Sequence, residues 1–292
     1  SFRIHRKSFE EKTTVILKLL QGKNIIRISV QCSETLYPSF SCFYAAFDLL
    51  FLYTYFICMI KASNGGFMSY FKYDTHVHTS ETSICGKVDA KTLVRLYKKA
   101  GYHGIVITDH YTKDFFEGLA QDSWNKKMDR YLTGYFTAVE EGKRIGLRVL
   151  LGIELKFGEN NNEYLVYGFE PDFLYQNPGL YEMDLKSFSK FAEDTRLLVY
   201  QAHPFRVMVT PADPRYLHGV EIYNGNPRHN SYNERAYDYA VRHNLKMLSG
   251  SDFHQMQDTS RGGIILKEAP ENSLEFANIL RNNGIVEYIT TA

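Results

Sequence analysis

The sequence predicts an α/β fold with a parallel sheet, either open or closed into a barrel. Short apolar segments alternate with amphipathic helical segments through residues 68–292, and this alternation is typical of parallel strands connected by helices. Most of the apolar segments are apolar almost throughout, as expected for strands that are covered on both faces. We therefore interpret residues 68–292 as one domain.

Eight strands are predicted from the apolar segments: Lys72–His76, Gly104–Thr108, Leu147–Ile153, Tyr164–Tyr167, Leu197–Gln201, Gly219–Tyr223, Lys246–Leu248 and Gly284–Ile289. The first predicted helix has Asp89 as its cap and runs to Ala100, because Leu93, Leu96 and Tyr97 share one face and Gly101 follows its end. Further helices are predicted at Tyr131–Ile145, Asp184–Asp194, Tyr232–His243 and Ser273–Asn282.

Composition narrows the class of protein. The chain has 292 residues, of which 44% are apolar and 23% are charged, and these values argue against a largely disordered chain. The formal net charge is +1, and no basic stripe is seen, so we expect no long nucleic acid as a partner. Four cysteines are too few for a disulfide scaffold, and we expect a cytoplasmic protein.

Residues 1–67 differ in character from the rest. They contain Cys32, Cys42 and Cys58, and the 21-residue segment Phe40–Ile60, whose only charge is Asp48, is long enough to span a bilayer. An N-terminal membrane anchor and a packed extension are two interpretations of this leader. We favour a third, in which 1–67 is translated upstream sequence and the native start is Met68.

Polar residues follow the predicted strands at the point where each strand ends. They occur as D-T-H-V-H-T (Asp74, His76, His78), T-D-H (Asp109, His110), G-I-E (Glu154), A-H-P (His203) and S-D-F-H (Asp252, His254). In a parallel α/β barrel the strand carboxyl ends converge on one face, and side chains two residues apart on a strand point to the same side.

Each of these motifs alone has an ordinary structural explanation, such as a helix-capping Asp or a turn at His-Pro. The five motifs together are not explained in this way. Imidazoles and carboxylates gathered at five strand ends are costly to bury unless a further charged group neutralises them. Divalent Zn, Mn and Fe all accept nitrogen and oxygen ligands of this kind. The sequence therefore predicts a metal site on this face.

These five motifs, in this order and spacing, resemble those of the PHP (polymerase and histidinol phosphatase) family. The resemblance covers residues 70–292 and none of 1–67. It implies a distorted (β/α)7 TIM-like barrel, two or three divalent metal ions and metal-dependent hydrolysis of phosphate esters, an activity of class EC 3.1.

The resemblance also implies the metal ligands. By position they are His76, His78 and Asp252 for the first ion, Glu154 as a bridge between two ions, His203 for the second ion, and His110 and His254 for a third. Asp74 and Asp109 are expected to orient these ligands or to cap helices.

The sequence departs from the family pattern in two places. Many members carry a further Asp or His after the first His pair, and here the candidates are Glu81, Ser83 and Cys85. We favour Glu81, since a carboxylate suits Mn or Fe, with Cys85 next, since a thiolate suits Zn. Many members also carry a His on the strand after the bridging Glu, whereas the segment around Leu165 offers no ligand.

The predicted mechanism is attack on phosphorus by a hydroxide that bridges two metals, with Glu154 and Asp252 holding the metals. Candidate phosphate-binding residues are Arg206, Arg228 and Arg261, of which we favour Arg261 because it follows the last motif. His229 is a candidate proton donor to the leaving group.

The expected substrate is a small phosphomonoester, such as histidinol phosphate or a nucleotide, or a short oligonucleotide. A non-catalytic metal-binding module and a non-phosphate amidohydrolase are the alternatives, and a membrane is a partner only if Phe40–Ile60 is a genuine anchor.

Overall fold

The computed structural model describes residues 12–21, 24–33 and 70–291. The chain divides into two units, Ser1–Phe67 and Met68–Ala292. In the first unit, strand β1 (Lys12–Gln21) pairs antiparallel with β2 (Asn24–Ser33). The candidate membrane anchor Phe40–Ile60 lies outside the described residues. Within the described ranges, no helix is both long enough and apolar enough to cross a membrane.

In the second unit, strands and helices alternate along the chain. The strands are β3 (Phe71–Val77), β4 (Gly104–Ile107), β5 (His110–Tyr111), β6 (Arg148–Leu151), β7 (Ile153–Lys156), β8 (Glu163–Tyr167), β9 (Leu198–Gln201), β10 (Gly219–Asn224), β11 (Lys246–Gly250), β12 (Gly262–Leu266) and β13 (Ile285–Thr290). The helices are α1 (Ala90–Lys99), α2 (Lys113–Glu117), α3 (Trp124–Tyr131), α4 (Thr133–Ile145), α5 (Pro171–Gln176), α6 (Leu185–Thr195), α7 (Asn233–His243) and α8 (Ser273–Arg281).

The strands form two sheets. The five-stranded sheet has the order β13-β12-β3-β4-β6, and the six-stranded sheet has the order β11-β10-β9-β8-β7-β5. Both sheets are mixed, because β12 runs antiparallel to β3 and β13, and β8 runs antiparallel to β7 and β9. The α/β class is confirmed, whereas the predicted parallel sheet is found only in part, since parallel and antiparallel pairs occur in both sheets. The described strands do not form a closed barrel, so the (β/α)7 barrel is not confirmed.

The carboxyl ends of β3 and β11 lie against each other where the two sheets meet. Val77 makes a parallel bridge to Phe253, and the Thr75 hydroxyl donates to the carbonyl oxygen of Ser249 at 2.9 Å. A side chain at Gly262 would clash with the backbone of Gly250, since its Cβ would lie 2.2 Å from that carbonyl carbon. This close approach brings the D-T-H-V-H-T and S-D-F-H segments together.

The helices cover the sheets with the faces that the sequence predicts. Asp89 caps α1, accepting a hydrogen bond from the Thr92 N–H at 3.0 Å, and Leu93 and Tyr97 are buried. The predicted helix Tyr131–Ile145 is divided in two at Leu132, and β12 was not predicted. The resulting framework carries the polar strand ends on one face of the domain.

Candidate metal centre

The predicted ligands His76, His78, His110, Glu154, His203, Asp252 and His254 come together at the strand ends. His76 lies within β3 and His78 directly after it, while Glu154 lies within β7. The others begin or follow β5, β9 and β11, as the sequence predicts. All seven side chains are buried or partly buried.

His76 is held by one ring nitrogen and offers the other to the cluster. Its Nδ1 lies 2.9 Å from Oε1 of Glu221 in a hydrogen bond. Its Nε2 lies 3.2 Å from Oε1 of Glu154 and 3.5 Å from Oδ1 of Asp252, yet it has no hydrogen-bond partner. The fixed Nδ1 leaves Nε2 facing two carboxylates.

His78 is placed in a similar way. Its Nδ1 lies 3.3 Å from the Ser83 hydroxyl, and its Nε2 lies 3.4 Å from a carboxylate oxygen of both Glu154 and Asp252. This Nε2 is also buried without a hydrogen-bond partner. Two adjacent imidazoles therefore present ring nitrogens to the same pair of carboxylates.

A second group forms on the other side of Glu154. Nδ1 of His110 lies 2.8 Å from Oε2 of Glu154, and Nε2 of His203 lies 3.2 Å from Oε1 of the same carboxylate. Glu163 completes this group, with its carboxylate oxygens 3.7 Å from Nδ1 of His110 and 3.5 Å from Nε2 of His203. Glu154 thus lies between the two groups.

Glu163 and Glu221 were not predicted from the sequence. Because β8 runs antiparallel to its neighbours, its first residue, Glu163, lies beside the carboxyl ends of β7 and β9. The prediction that the segment around Leu165 offers no ligand did not include Glu163, which is the first residue of the same strand. Glu221 is a fully buried acid in the otherwise uncharged strand β10. A single charged residue within a mostly apolar strand is unusual, and this was the feature of the sequence from which its role could have been predicted.

The residues fit a metal centre. Three groups have ligand atoms that all lie within 4.8 Å of one another: His76, His78 and Glu154; His110, Glu154 and Glu163; and His78, His110 and His254. Buried polar atoms in folded proteins are almost always hydrogen-bonded, so unpartnered nitrogens facing carboxylates indicate that a further group belongs between them. Mixed imidazole and carboxylate ligands suit Zn, Mn or Fe.

The charges of the centre depend strongly on one another. Burial lowers the pKa of His76, but Glu221, Glu154 and Asp252 outweigh burial and hold that pKa well above its usual range. Burial, followed by the neighbouring His254 and His110, takes the pKa of His78 well below its usual range.

The pKa values of the two carboxylates in the centre, Glu154 and Asp252, are lowered even though burial alone would raise them. Burial raises the pKa of Glu154, yet His76 and His110 outweigh it and lower that pKa well below its usual range. Asp252 behaves similarly, because His76 and Arg206 outweigh its burial and lower its pKa. Both side chains are therefore ionised acceptors, as metal ligands must be.

Asp74 and Asp109 support the ligands from behind. Asp74 accepts hydrogen bonds from the Tyr97 hydroxyl at 2.7 Å and the Ser251 N–H at 3.0 Å. Asp109 accepts from the backbone and the hydroxyl of Thr79, both at 2.7 Å, and from the Ser83 hydroxyl at 2.6 Å. Burial raises the pKa of each aspartate to about 6.

The structure places the two candidates Glu81 and Cys85 in different surroundings. Both carboxylate oxygens of Glu81 accept from the Ala90 N–H, at 2.9 and 3.1 Å, at the start of α1. The positive end of a helix favours such a carboxylate, so Glu81 is turned to the helix. The Cys85 sulfur instead lies 3.1 Å from ring nitrogens of both His110 and His254.

Two of the three candidate phosphate-binding arginines line the cavity over the centre. Arg206 pairs with Asp252 at 2.6 Å, and its Nε is buried without a partner. Arg228 pairs with both oxygens of Asp258 at 2.7 Å. The favoured candidate, Arg261, does not line the cavity, and its Nε donates to the Gly225 carbonyl at 2.8 Å.

The cavity has a volume of about 460 Å³, and besides the predicted metal ligands it is lined by four groups that can carry a positive charge: Lys87, Arg206, Arg228 and His229. His229 is exposed at its rim. Burial and the nearby Arg206 lower the pKa of His229, so its imidazole is mainly neutral at pH 7.

Two of the site residues have unusual backbone conformations. His203 has a φ of 29° and Asp252 a φ of 52°. Non-glycine residues rarely adopt positive φ, and such residues concentrate at functional sites. The backbone at these positions directs both side chains into the centre.

Comparison with known proteins identifies a matching family. Residues 74–290 match the family model of the PHP domain. No curated protein sequence matches the chain.

Solved structures share the fold at low sequence identity. PsfC from Pseudomonas syringae PB-5123 is 16% identical with a TM-score of 0.54, and the match covers 77% of this chain and 93% of PsfC. The second match is a two-domain protein from Bacteroides vulgatus ATCC 8482, which is described as containing a predicted PHP-like metal-dependent phosphoesterase. It is 19% identical with a TM-score of 0.52, and the match covers 74% of this chain and 64% of that protein. A Chromobacterium violaceum amidohydrolase is a weaker match that does not bear on the fold, 14% identical with a TM-score of 0.45, over 74% of this chain and 97% of its own.

Proposed function

Because the chain belongs to the PHP domain family, we propose that it is a metal-dependent hydrolase of small phosphate esters. The observation that carries this proposal is the convergence of unpartnered ring nitrogens of His76, His78 and His110 on the carboxylate of Glu154. The substrate class is a phosphomonoester, such as histidinol phosphate or a nucleotide, or a short oligonucleotide.

The ligands divide into two groups that share Glu154. His76, His78 and Asp252 would hold one ion with Glu154, while His110, His203 and Glu163 would hold another. Bound divalent ions supply a water of lowered pKa and polarise the phosphoryl oxygens. Glu163 fills the place where the sequence offered no ligand, and this argues against a non-catalytic module.

The chain's own residues fix the geometry of the ligands. Glu221 contacts two of them at once, since Oε1 lies 2.9 Å from Nδ1 of His76 and Oε2 accepts from the His203 N–H at 3.0 Å. Asn224 holds the second oxygen with a hydrogen bond of 2.9 Å. Such hydrogen bonds set which ring nitrogen is free to bind.

Arg206 and Arg228 bind the phosphoryl oxygens in this proposal. Arg206 has spare donors beside Asp252, and guanidinium groups pair bidentately with phosphate. His229 lines the same cavity and is the candidate proton donor to the leaving group in this proposal. The net charge of +1 and the small cavity favour a compact anion over long nucleic acid.

The test is hydrolysis of a panel of phosphate esters by the full chain. Histidinol phosphate, nucleoside monophosphates, bis(p-nitrophenyl) phosphate and short oligonucleotides are each assayed with Mn, with Zn and with chelator. We expect chelator-sensitive turnover that is lost in His76→Ala and Asp252→Asn. Absence of turnover by folded, metal-loaded protein across the panel would contradict the proposal, and amide hydrolysis under the same conditions would favour the amidohydrolase alternative.

A matched pair of arginine variants tests the substrate contacts. Arg228→Ala is expected to raise KM about tenfold or more, because a charge-assisted hydrogen bond is removed. Arg261→Ala, which alters a side chain outside the cavity, serves as the control and should leave KM unchanged. An equal effect in both variants would contradict the assignment of Arg228.

A further inference from the structure

The four most exposed large apolar side chains of residues 70–291 lie on loops that border the cavity over the metal centre. They are Ile84, Met208, Val207 and Met256, which are 91%, 77%, 72% and 63% exposed. Each lies within two residues of a residue that lines the cavity, since Cys85, Arg206 and Gln255 are all lining residues. We call these four residues the apolar rim.

The grouping of the apolar rim requires an explanation. Large apolar side chains that are exposed singly are common on protein surfaces and indicate no function. Val241 on α7 and Leu274 on α8 are such cases, because they are less exposed and are remote in sequence from the residues that line the cavity. Exposed apolar surface that adjoins a cavity is instead typical of a ligand-binding site.

The loop after β9 holds two residues of the apolar rim in a tight turn. The Val209 N–H donates to the Arg206 carbonyl at 2.9 Å, and Val207 and Met208 are the two central residues of this turn. Met208 has a φ of 69°, a backbone angle that favours glycine at this position of a turn. The methionine side chain therefore adds backbone strain, and because it is exposed it gains little packing within the protein. A contact with a ligand would offset that strain.

The other two residues of the apolar rim lie on loops that are joined to each other. The Lys87 N–H, three residues after Ile84, donates at 2.8 Å to the carbonyl of His254, two residues before Met256. Met256 begins a single turn of 3₁₀ helix that is fixed by a capping box. Both side chains are thus presented from loops whose backbone is held by hydrogen bonds.

The cavity beside the apolar rim offers charge and few uncharged polar groups. It is lined by three basic side chains, Lys87, Arg206 and Arg228. Its two amide side chains already have partners within the protein: Oδ1 of Asn226 accepts the Arg228 N–H at 3.1 Å, and Oε1 of Gln255 accepts from the Gln257 amide at 2.9 Å. Few uncharged groups are therefore left to recognise the hydroxyls of a sugar or the edge of a base.

We propose that the apolar rim binds the alcohol part of the substrate, and that the substrate is a small phosphomonoester of an alkyl or aryl alcohol. The inference rests on the proposed function, because the phosphate of this ester would bind at the metal centre. The charges are complementary, since the basic cavity suits the anionic phosphate and the uncharged rim suits the apolar alcohol. Methionine is well suited to such a surface because its flexible thioether adapts to different apolar shapes.

The test measures the binding of alkylphosphonates to the full, metal-loaded chain by isothermal titration calorimetry. A phosphonate has a carbon–phosphorus bond in place of the ester bond, so its binding is measured without turnover. We expect hexylphosphonate to bind about tenfold or more tightly than ethylphosphonate, because each methylene that the rim covers adds to the affinity. The heat capacity change of binding should also be more negative for hexylphosphonate, since this is the marker of apolar burial.

A matched pair of variants assigns this preference to the apolar rim. The double variant Met208→Ser with Met256→Ser should reduce the ratio of the two affinities about threefold or more, because less apolar surface is covered. Val241→Ser removes an exposed valine from α7 and should keep the wild-type ratio. All three side chains are exposed, so the substitutions should leave the fold intact. The ratio is measured within each protein, so a change in metal content affects both ligands alike.

Three results would overturn the proposal. They are equal affinities of the wild type for the two phosphonates, absence of binding of hexylphosphonate, and a wild-type ratio of affinities in the double variant. Co-sedimentation with vesicles of phosphatidylcholine and phosphatidic acid adds a further arm. Equal affinities for the phosphonates, together with weaker vesicle binding by the double variant, would assign the apolar rim to a membrane surface instead.

The outcomes also separate this inference from the proposed function. Preferential binding of hexylphosphonate, without hydrolysis of hexyl phosphate or any other ester, would contradict the hydrolase function alone. Hydrolysis of ethyl and hexyl phosphate with equal kcat/KM, together with equal affinities for the two phosphonates, would contradict the role of the apolar rim alone.

Discussion

Two pairs of buried carboxylates lie within one domain and have opposite surroundings. Asp74 and Asp109 receive hydrogen bonds from hydroxyl and backbone N–H donors at 2.6–3.2 Å. Glu154 and Asp252 instead face imidazole rings, and Oε2 of Glu154 has no hydrogen-bond partner. The first pair supports the framework, and the second lies in the centre.

The comparison shows how a framework carboxylate differs from a ligand. Burial of either kind is costly, and a protein offsets the cost by supplying donors. Where neutral donors complete the shell, burial dominates and the pKa of the carboxyl rises to about 6. Where positively charged groups surround the carboxylate, imidazoles at Glu154 and imidazoles with Arg206 at Asp252, the pKa falls and the carboxylate stays ionised, as a metal ligand must be.

The strongest test of this distinction removes the charge of Glu154. Glu154→Gln should lower kcat/KM by about 1,000-fold or more, because both ligand groups lose their shared carboxylate. Steady-state kinetics and metal content measure the effect. Glu117→Gln changes an exposed carboxylate on α2 and is the control. Normal metal content in Glu154→Gln would contradict the role of Glu154.

Metal removal should lower the free energy of unfolding of the domain without unfolding it, because the surroundings of Asp74 and Asp109 do not depend on the metal. At a free metal concentration of 100 times Kd, binding adds about 2.7 kcal/mol to the free energy of unfolding, which corresponds to roughly 5–10 °C in Tm for a domain of this size. Calorimetry with and without chelator measures the shift. The Glu154→Gln variant should shift much less, and an equal shift in both proteins would count against binding at this centre.

Changing Glu221 tests a residue that acts through the ligands. In Glu221→Gln one side-chain oxygen becomes an amide NH2, which donates, so the remaining oxygen can accept from His76 or from the His203 N–H but not from both. We expect metal affinity to fall about 10–100-fold, as measured by competition with a chromophoric chelator. The far-ultraviolet circular dichroism spectrum should stay unchanged. An unaltered affinity would mean that the ligands are positioned without Glu221.

The smallest effect is expected for a framework carboxylate. Asp109→Asn should lower the free energy of unfolding by about 1–3 kcal/mol, because buried donors lose a charged acceptor. Urea denaturation of the metal-free protein measures this loss. Metal content should remain at the wild-type level. Loss of metal with unchanged stability would reverse the assignments of the two pairs.

The sequence predicted most of the framework because buried strands and helix caps leave clear patterns. Asp89 and the apolar residues of α1 are an example. β12 was missed, since Gly262 and Gly263 resemble a turn, although the two glycines allow close packing against β11 and β3. The direction of β8 was missed as well, because an apolar strand looks the same whether it runs parallel or antiparallel.

The same limits apply to the centre. The convergence of the predicted ligands could be foreseen because the carboxyl ends of neighbouring parallel strands lie together. Glu163 could not be foreseen, because its position depends on the direction of β8. The positions of Glu81 and Cys85 depend on which of the two side chains accepts a hydrogen bond from the first N–H of α1. The spacing of the residues in the sequence does not determine this. Arg261 lies near the last motif in sequence but is turned to the Gly225 carbonyl.

The positive φ values of His203 and Asp252 restrict which substitutions evolution can accept at these two positions. Glycine, asparagine, aspartate and histidine accept such backbone angles at lower cost than most other residues. A descendant that abandons metal chemistry but keeps the fold should therefore replace these residues first with asparagine or glycine, before alanine or valine. Asparagine or glycine at both positions would identify an inactive relative from its sequence alone.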